Sequence, residues 1–461
     1  MTTAAVILAA GMGKRMRSTL PKVLHPIADL PMVGHVVALA ESQRLSPIVV
    51  VVDPVNGPNV EAQLRAAFPK AEMKFAVQEL PRGTGDAMRA GLSSLADFTG
   101  DVIVLAGDVP LLTKATVRKL IDALPGHDFA MLTATVPDPT GYGRVVREGG
   151  KVRIVEHRDA TDEQLAINEV NVAIYMCDTD LMRKAVAGLK NDNAQGEFYL
   201  TDVVTQASKV VVVDMPDPDE MRGVNNQAEL AAVDQVMRAR LVKHHQLEGV
   251  RFKDPSRAYL TTRVTFGEDV VVGVDVQFGG TVKIGRGVVI EGPTVLRDCV
   301  IGDGTRIASF SHIEGATVGN NATIGPFARL RRGAELASDV HIGNYVEVKN
   351  SKVGLGSKAN HFTYLGDTDV GSGANIGAGT ITCNYDGTNK HRTTIGDGVF
   401  VGSNSTLVAP VRLGAQSYIA AGSTITEDVP DDALAFGRAR QETREGLAKT
   451  SRERMKARKG S

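Results

Sequence analysis

No tryptophan occurs in the 461 residues, and aromatic residues make up only 5%. A core built on large stacked rings is thereby excluded. Cysteine is almost missing: Cys177, Cys299 and Cys383 are few, far apart and odd in number. That excludes a disulfide framework and points to a reducing, cytoplasmic compartment, with the thiols as small core fillers. No apolar run is long enough for a membrane-spanning helix. The short run Ala4–Ala10 has no basic stretch before it and leads straight into a glycine loop. It reads as a first strand, not as a signal peptide. A net charge of -1 lacks the one-sided excess of a nucleic-acid or membrane binder. What is plentiful is glycine, 48 residues of it. Glycine-rich, aromatic-poor composition suits a repetitive β-solenoid with narrow coils.

The repeat is visible between Val264 and Pro430. Ile324, Leu330, Leu336, Ile342 and Val348 recur at every sixth position, as do Ile395, Val401, Leu407, Leu413, Ile419 and Ile425. A period of six fits neither a helix nor a free strand. It fits short strands separated by corners, a hexapeptide parallel β-helix in which the aliphatic points inward. The residue after the aliphatic is often Gly, as at Gly325, Gly343, Gly396, Gly402 and Gly414, and is expected to turn the corner.

Before the repeat, apolar β-branched runs alternate with helical patterns. Val6–Ala10, Ile48–Asp53, Lys74–Gln78, Val102–Ala106, Phe129–Ala134 and Val210–Asp214 have strand length. Met32–Leu45, Val60–Phe68, Asp86–Leu95 and Thr116–Leu124 read as helices between them. The alternation predicts a largely parallel sheet covered on both faces, with ligands beyond the carboxyl ends of the strands. Two strand ends there carry chemistry. Leu8-Ala9-Ala10-Gly11-Met12-Gly13 is followed by Arg15 and Lys22, glycines that admit phosphate oxygens and cations that neutralise them. An ordinary strand–helix turn would look similar without the cations. The dinucleotide-binding and Walker patterns both fail here, because Met16 stands where a third glycine belongs. Ala106-Gly107-Asp108 ends another strand, where an Asp either ligates Mg²⁺ beside phosphates or caps a turn. Gln78 and Gly83-Thr84 lie in a polar loop opening a helix.

Leu8-Ala9-Ala10-Gly11-x-Gly-x-Arg15-Met16 with Pro21-Lys22, Gly107-Asp108-Val109-Pro110 and Gly141-Tyr142-Gly143-Arg144 resemble the sugar-1-phosphate nucleotidylyltransferases. With the hexads included, residues 4–440 resemble the bacterial family of bifunctional N-acetylglucosamine-1-phosphate uridylyltransferases and glucosamine-1-phosphate acetyltransferases. The resemblance implies a Rossmann-like α/β nucleotidyltransferase domain followed by a left-handed β-helix. It also implies a homotrimer with acetyl sites at subunit boundaries. In the first domain it implies that Leu8, Ala9, Ala10, Gly11, Lys22 and Gln78 hold UTP, with Gly83 and Thr84 at the uracil and Ala106 and Gly107 beside the nucleotide. Arg15 would stabilise charge on the triphosphate, and Asp108 and Asn225 would bind Mg²⁺. Gly143, Glu156 and Asn171 would position N-acetylglucosamine 1-phosphate. Lys14 stands where the family often has Thr, and Ala106 where it often has an aromatic. Whether Asn225 or Asn226 meets the metal is set only by motif register.

Residues 227–250 form a connector, with Leu230, Val233, Met237 and Leu241 at helical spacing. The domains expected are therefore 1–226, this linker, 251–437 for the β-helix, and a basic tail at 438–461. Within the array the register slips after Val348 and after Leu365, and lapses from Thr382 to Thr394. The lapse is expected to loop out, since polar and basic residues cannot replace an inward aliphatic. Arg331 and Lys349 lie 18 residues apart, one coil, and should stack into a site for a phosphate monoester. His361 follows 12 residues on, placed to deprotonate an amine, although a lone His is more often a satisfied surface residue. The resemblance implies that His361 is the general base for attack of glucosamine 1-phosphate on acetyl-CoA. Arg331, Lys349, Tyr364 and Asn375 would bind the sugar phosphate. Ala378, Asn384, Tyr385, Ser403, Ala421 and Arg438 would contact acetyl-CoA. The competing reading is a single-activity nucleotidylyltransferase whose solenoid only oligomerises.

Overall fold

A computed structural model describes residues 2–459, so the last two residues of the basic tail lie outside the described residues. The chain divides into two compact units, Met1–Leu241 and Val242–Ser461.

The first unit is a twisted sheet with a core on each face. Its strands are β1 (Thr3–Leu8), β2 (Ile48–Val52), β3 (Met73–Val77), β4 (Asp101–Ala106), β5 (Phe129–Thr135), β6 (Arg144–Glu148), β7 (Lys151–Val155), β8 (Glu169–Asp178) and β9 (Val210–Asp214). The main order is β9-β5-β8-β4-β1-β2-β3, with the β6–β7 hairpin attached to β8. Strand β8 runs antiparallel to both neighbours. The alternating scheme did not foresee either: a strand buried on both faces carries no mark of its direction, and the hairpin strands are short, with exposed charges at Arg147, Glu148 and Lys151. The predicted helices appear at Met32–Ser42, Gly57–Ala67, Thr84–Ser93 and Lys114–Ala123. They fill the two apolar layers on either side of β1, whose residues Ala4 to Ile7 are fully buried.

The connector is one helix, Gln227–Leu247. Asn226 opens it as a capping residue, accepting from the backbone N–H groups of Ala228 and Glu229 at 3.0 and 2.9 Å. In its first half Val233 is buried against Met16, Ile27, Met32, Leu111 and Val224.

The second unit is a three-faced parallel solenoid. Two of its faces belong to one continuous 16-stranded sheet and the third to an 11-stranded sheet. All eleven in-register aliphatics are at most 5% exposed, each contributing roughly 1.5–3 kcal/mol by burial. They stack coil on coil, Ile324 on Ile342 and Leu330 on Val348. Past Val348 the coil shortens by one residue, pairing Val348 with Leu365 and Ile342 with Ala359. This accounts for the slip in register.

Two expectations about the coil are corrected. The glycines after the aliphatics do not supply left-handed corners at Gly343, Gly396 and Gly402. They let successive coils approach: a Cβ on Gly343 would fall 1.9 Å from the Asn360 carbonyl oxygen, and one on Gly402 would fall 2.4 Å from the Ala421 nitrogen. Left-handed backbone instead occurs at Phe310, Phe327, Tyr345, Phe362, Gly379 and Asn404. The lapse also starts later than Thr382. Thr382 is 1% exposed inside the strand Ile381–Cys383, its hydroxyl accepting from the Gly366 N–H at 2.9 Å and donating to the Tyr364 carbonyl. A hydroxyl so satisfied can take an aliphatic's place. Thr393 likewise lies in the returning strand Thr393–Ile395, so the looped-out segment is residues 384–392.

Candidate functional site

In the first unit the ends of β1 and β4 lie side by side, tied by the Gly107 N–H to the Leu8 carbonyl at 2.9 Å. A Cβ on Gly107 would meet that carbonyl at 3.0 Å, so the close approach needs glycine. Above these ends a cleft is lined by Leu8, Ala10, Gly11, Gln78, Gly83 and Thr84. A second hollow, reaching Arg15, Tyr142, Asn171 and Asn225, shares Thr84, Ala106, Asp108 and Ala173 with it. Sharing these four residues, the two adjoin as one trough.

Its floor is rigidly held. Gln78 is buried and donates to the Gly83 carbonyl (3.1 Å) and to Asp86 (3.2 Å), which fixes the loop that opens the Thr84 helix. Gly83 has φ of 104°, and a Cβ there would strike the Phe198 carbonyl at 2.7 Å. Lys22 packs where a side chain on Gly13 would be. Its ammonium donates to Asp108 Oδ2 at 2.6 Å and to Asn225 Oδ1 at 3.0 Å. Two oxygens that converge on one cation, a carboxylate and an amide, suit a hard divalent ion that completes its shell with phosphate and water. The residues therefore fit Mg²⁺. Asn225 is the one that points there. Its N–H and Nδ2 donate to Glu229 at 2.7 and 3.2 Å, whereas Asn226 caps the helix. Glu229 escaped the sequence reading, although Asn226-x-x-Glu229 carries the spacing of a capping box.

Arg15 is exposed at the mouth of the second hollow. Gly143 sits beside Glu156, and its carbonyl accepts from the Asn171 N–H at 2.8 Å. Burial pushes the Glu156 carboxyl above its ordinary value, against a stabilising bond from the Thr201 hydroxyl. Both polar ends of Asn171 are taken internally, by Tyr175 and by the Ala173 N–H, so its side chain shapes the trough as much as it lines it.

In the second unit the sites gather along one corner. Asn344 and His361 are in register on successive coils. The column continues upward through backbone bonds: Gly379 N–H to the His361 and Phe362 carbonyls, Asn404 N–H to the Ala378 carbonyl, and Gly422 N–H to the Ser403 carbonyl. His361, Ala378, Ser403 and Ala421 thus climb a single edge. Arg438 reaches the same edge at Gly422. His361 is exposed, with Nδ1 3.0 Å from Asn344 Oδ1. An amide oxygen can only accept, so Nδ1 carries a proton, and in the neutral ring Nε2 is then the nitrogen with the lone pair. Asn344 was not foreseen; it lies one shortened coil, 17 residues, before His361.

Beside this edge stand the cations. Arg331 and Lys349 stack as predicted, but Arg331 is not a free cation: it donates to Glu347 at 2.8 Å. The looped-out segment brings a third cation. The Lys390 ammonium next to Lys349, with burial adding to it, holds Lys349 below its ordinary value. Two adjacent ammonium groups disfavour each other's charge, and an anion between them would relieve this. Burial alone would raise Asp367, but bonds from Asn350 and Asn384 and the nearby Lys349 and Lys390 outweigh it and hold the carboxyl below its usual range. Asn384 is therefore tied inward, while Tyr385 is exposed. Tyr364 lies over Gly366 on the face that follows the His361 corner. Asn375 lies on the preceding face, so it flanks the edge from the other side and does not join Arg331 and Lys349.

Family comparisons agree with this division. Residues 5–161 match the MobA-like NTP transferase domain, residues 260–362 the GMPPB C-terminal domain, and residues 392–427 the bacterial transferase hexapeptide with six repeats. A bifunctional protein GlmU from Burkholderia thailandensis is 47% identical over 450 residues, covering 96% of this chain and 98% of that protein. The chain belongs to the GlmU family. A GlmU from Ralstonia nicotianae is 47% identical over 458 residues, covering 98% of this chain and 99% of its own length. One from Acinetobacter baylyi is 46% identical over 446 residues, at 96% and 97% coverage. The solenoid is accordingly a left-handed β-helix, and the chain is a bifunctional uridylyltransferase and acetyltransferase that makes UDP-N-acetylglucosamine.

Proposed function

We propose that the two reactions use the two clusters separately: acetyl transfer at the His361 edge, then uridylyl transfer in the trough. The observation that carries this reading is the His361 imidazole, oriented by Asn344 on the edge that also bears Ala378, Ser403 and Ala421, with Lys349 and Lys390 alongside.

In the first reaction Arg331, Lys349 and Lys390 hold the phosphate of glucosamine 1-phosphate, with Tyr364 and Asn375 flanking the sugar. His361 Nε2 takes a proton as the amine attacks the thioester carbonyl of acetyl-CoA. The C–N bond forms, the C–S bond breaks, and CoA leaves as the thiol after receiving a proton. Ala378, Asn384, Tyr385, Ser403, Ala421 and Arg438 carry the CoA along the edge, where small residues leave the backbone accessible.

In the second reaction Leu8 to Gly11, Gln78, Gly83, Thr84, Ala106 and Gly107 seat UTP, while Gly143, Glu156 and Asn171 orient N-acetylglucosamine 1-phosphate. An oxygen of the sugar phosphate attacks the α-phosphorus in line, and pyrophosphate leaves. Arg15 and Lys22 neutralise the charge that builds up, and positioning does most of the rest. Asp108 and Asn225 would hold Mg²⁺, which supplies charge neutralisation at the phosphates when bound. Lys22 would then move from these oxygens to the phosphates.

Three copies of the chain assemble, on this reading, to complete the acetyl site. Phe310, Phe327 and Tyr345 stack along the corner, with ring centroids 4.9 and 5.2 Å apart, and Phe362 meets Tyr345 edge-on at 6.4 Å, all four with exposures of 43% or more. An exposed aromatic ladder of this length favours a protein neighbour. The domain extents follow the sequence limits of 1–226, 227–250 and 251–437, with the tail beyond.

Mass spectrometry of products from glucosamine 1-phosphate, acetyl-CoA and UTP with Mg²⁺ tests the reading. UDP-N-acetylglucosamine, pyrophosphate and CoA are expected. Formation of uridylylated sugar only from added N-acetylglucosamine 1-phosphate, with no CoA released, would contradict it.

A further inference from the structure

Away from both clusters, three side chains converge where the Gln227–Leu247 helix ends. His244, His245 and Glu248 each offer one ligand atom, all within 4.8 Å of one another. His244 Nε2 and His245 Nδ1 each stand 3.5 Å from a different oxygen of Glu248. The His245 residue is only 7% exposed, and its ring packs edge-on against Phe266, 4.9 Å between centroids. Its buried Nδ1 has no hydrogen-bond partner among the described residues. Buried polar atoms are rarely left so, and one aimed at a carboxylate and a second imidazole calls for a shared partner.

We infer that His244, His245 and Glu248 form a binding site for a borderline divalent cation of the Zn²⁺ type. Two imidazole nitrogens and one carboxylate oxygen are the donor set such ions prefer, with water in the remaining position. Mg²⁺, which takes oxygen donors, is disfavoured here. The backbone already holds the third ligand in place, because the Glu248 N–H donates to the His244 and His245 carbonyls at 3.2 Å. In a tetrahedral site ligand atoms lie about 3.3 Å apart; each imidazole nitrogen is 3.5 Å from its own Glu248 oxygen, and the three ligand atoms lie within 4.8 Å, so the set has to draw in slightly around an ion. The adjustment falls on the exposed His244 ring. A bound ion satisfies His245 Nδ1 and clamps the last helical turn to the turn that follows it. It is a different site from the Asp108–Asn225 oxygens, in donor type as well as in position along the chain.

The test uses the metal-stripped full chain, titrated calorimetrically with Zn²⁺ alone in excess Mg²⁺, together with Co²⁺ and its visible spectrum. Wild type is expected to bind one more Zn²⁺ per chain than either His244→Ala or Glu248→Gln, or to bind it at least about tenfold more tightly, since loss of even an outer-shell partner costs about that much. Co²⁺ on wild type should show the strong bands of four- or five-coordination, and these should vanish in both variants. His244 and Glu248 are more than half exposed at their side chains, so both substitutions leave the packing intact. Zn²⁺ stoichiometry and affinity equal to wild type in both variants would overturn the inference, as would an octahedral Co²⁺ spectrum in all three proteins.

Discussion

The trough of the first unit and the edge of the second present their cations in opposite ways. In the trough the nearest cation is already neutralised: Lys22 rests between Asp108 and Asn225, partly buried. On the edge, Lys349 and Lys390 lie beside each other with the Asp367 carboxylate near both, and His361 is open to solvent. The trough is built from loops fixed within one unit, by Gln78 bonded to the Gly83 carbonyl and by Gly83 packed against Phe198. The edge is one exposed line on a rigid rod. The difference teaches that the solenoid presents an open line of side chains where the trough presents a hollow; on the reading proposed above, a neighbouring copy recruited by the aromatic ladder would enclose that line.

Single substitutions should separate the two halves. The largest effect is expected for His361→Ala, which should lower acetyl transfer on the order of 10²–10⁴-fold and leave uridylyl transfer near wild type, read as CoA thiol and pyrophosphate release. Asp108→Ala should do the reverse, lowering pyrophosphate release on the order of 10²–10³-fold while thiol release is kept. Equal loss of both activities in either folded variant would break the comparison. Lys390→Ala should raise KM for glucosamine 1-phosphate about tenfold, the scale of one charge-assisted hydrogen bond, with little change in kcat. An unchanged KM would remove Lys390 from the phosphate site.

Asn344→Ala should cost less, a severalfold drop in acetyl-transfer kcat with an altered pH profile, because the ring loses the partner that sets its tautomer. The smallest effect concerns stability. Asp367 has its folded value below the unfolded one, so its contribution is present above about pH 4, the unfolded value, and is lost as pH falls through the lower folded value. Melting temperature against pH should therefore decline less steeply on the acid side in Asp367→Asn than in wild type. Parallel curves would show that Asn350, Asn384 and the lysines do not hold the carboxylate.

Much of the second unit was legible because its energetics repeat. An aliphatic at every sixth residue must stack on the next coil, and Leu330, Val348 and Leu365 do so. What escaped were departures from that rule. Thr382 takes an inward place because its hydroxyl is bonded within the coil, and polarity alone could not reveal this. Lys390 lies in a segment with no period, so only the folded loop brings it to Lys349. Asn344 needed the coil length of 17, which the slip implied without identifying a partner. In the first unit the strand ends at Leu8 and Ala106 were readable from Gly and Asp after buried runs. The antiparallel β8 was not, since direction leaves no mark on a strand buried on both faces. Asn225 and Asn226 were distinguishable only through Glu229, which binds the first and helps to cap with the second.

The central claim is that one chain carries two chemically independent sites joined by a diffusible product. Mixing His361→Ala with Asp108→Ala protein, each inactive for the full sequence, tests it directly. With glucosamine 1-phosphate, acetyl-CoA, UTP and Mg²⁺, the mixture is predicted to restore UDP-N-acetylglucosamine, because the Asp108 variant supplies N-acetylglucosamine 1-phosphate to the intact trough of the His361 variant. A mixture that makes none, while each variant keeps its own remaining activity, would contradict the account.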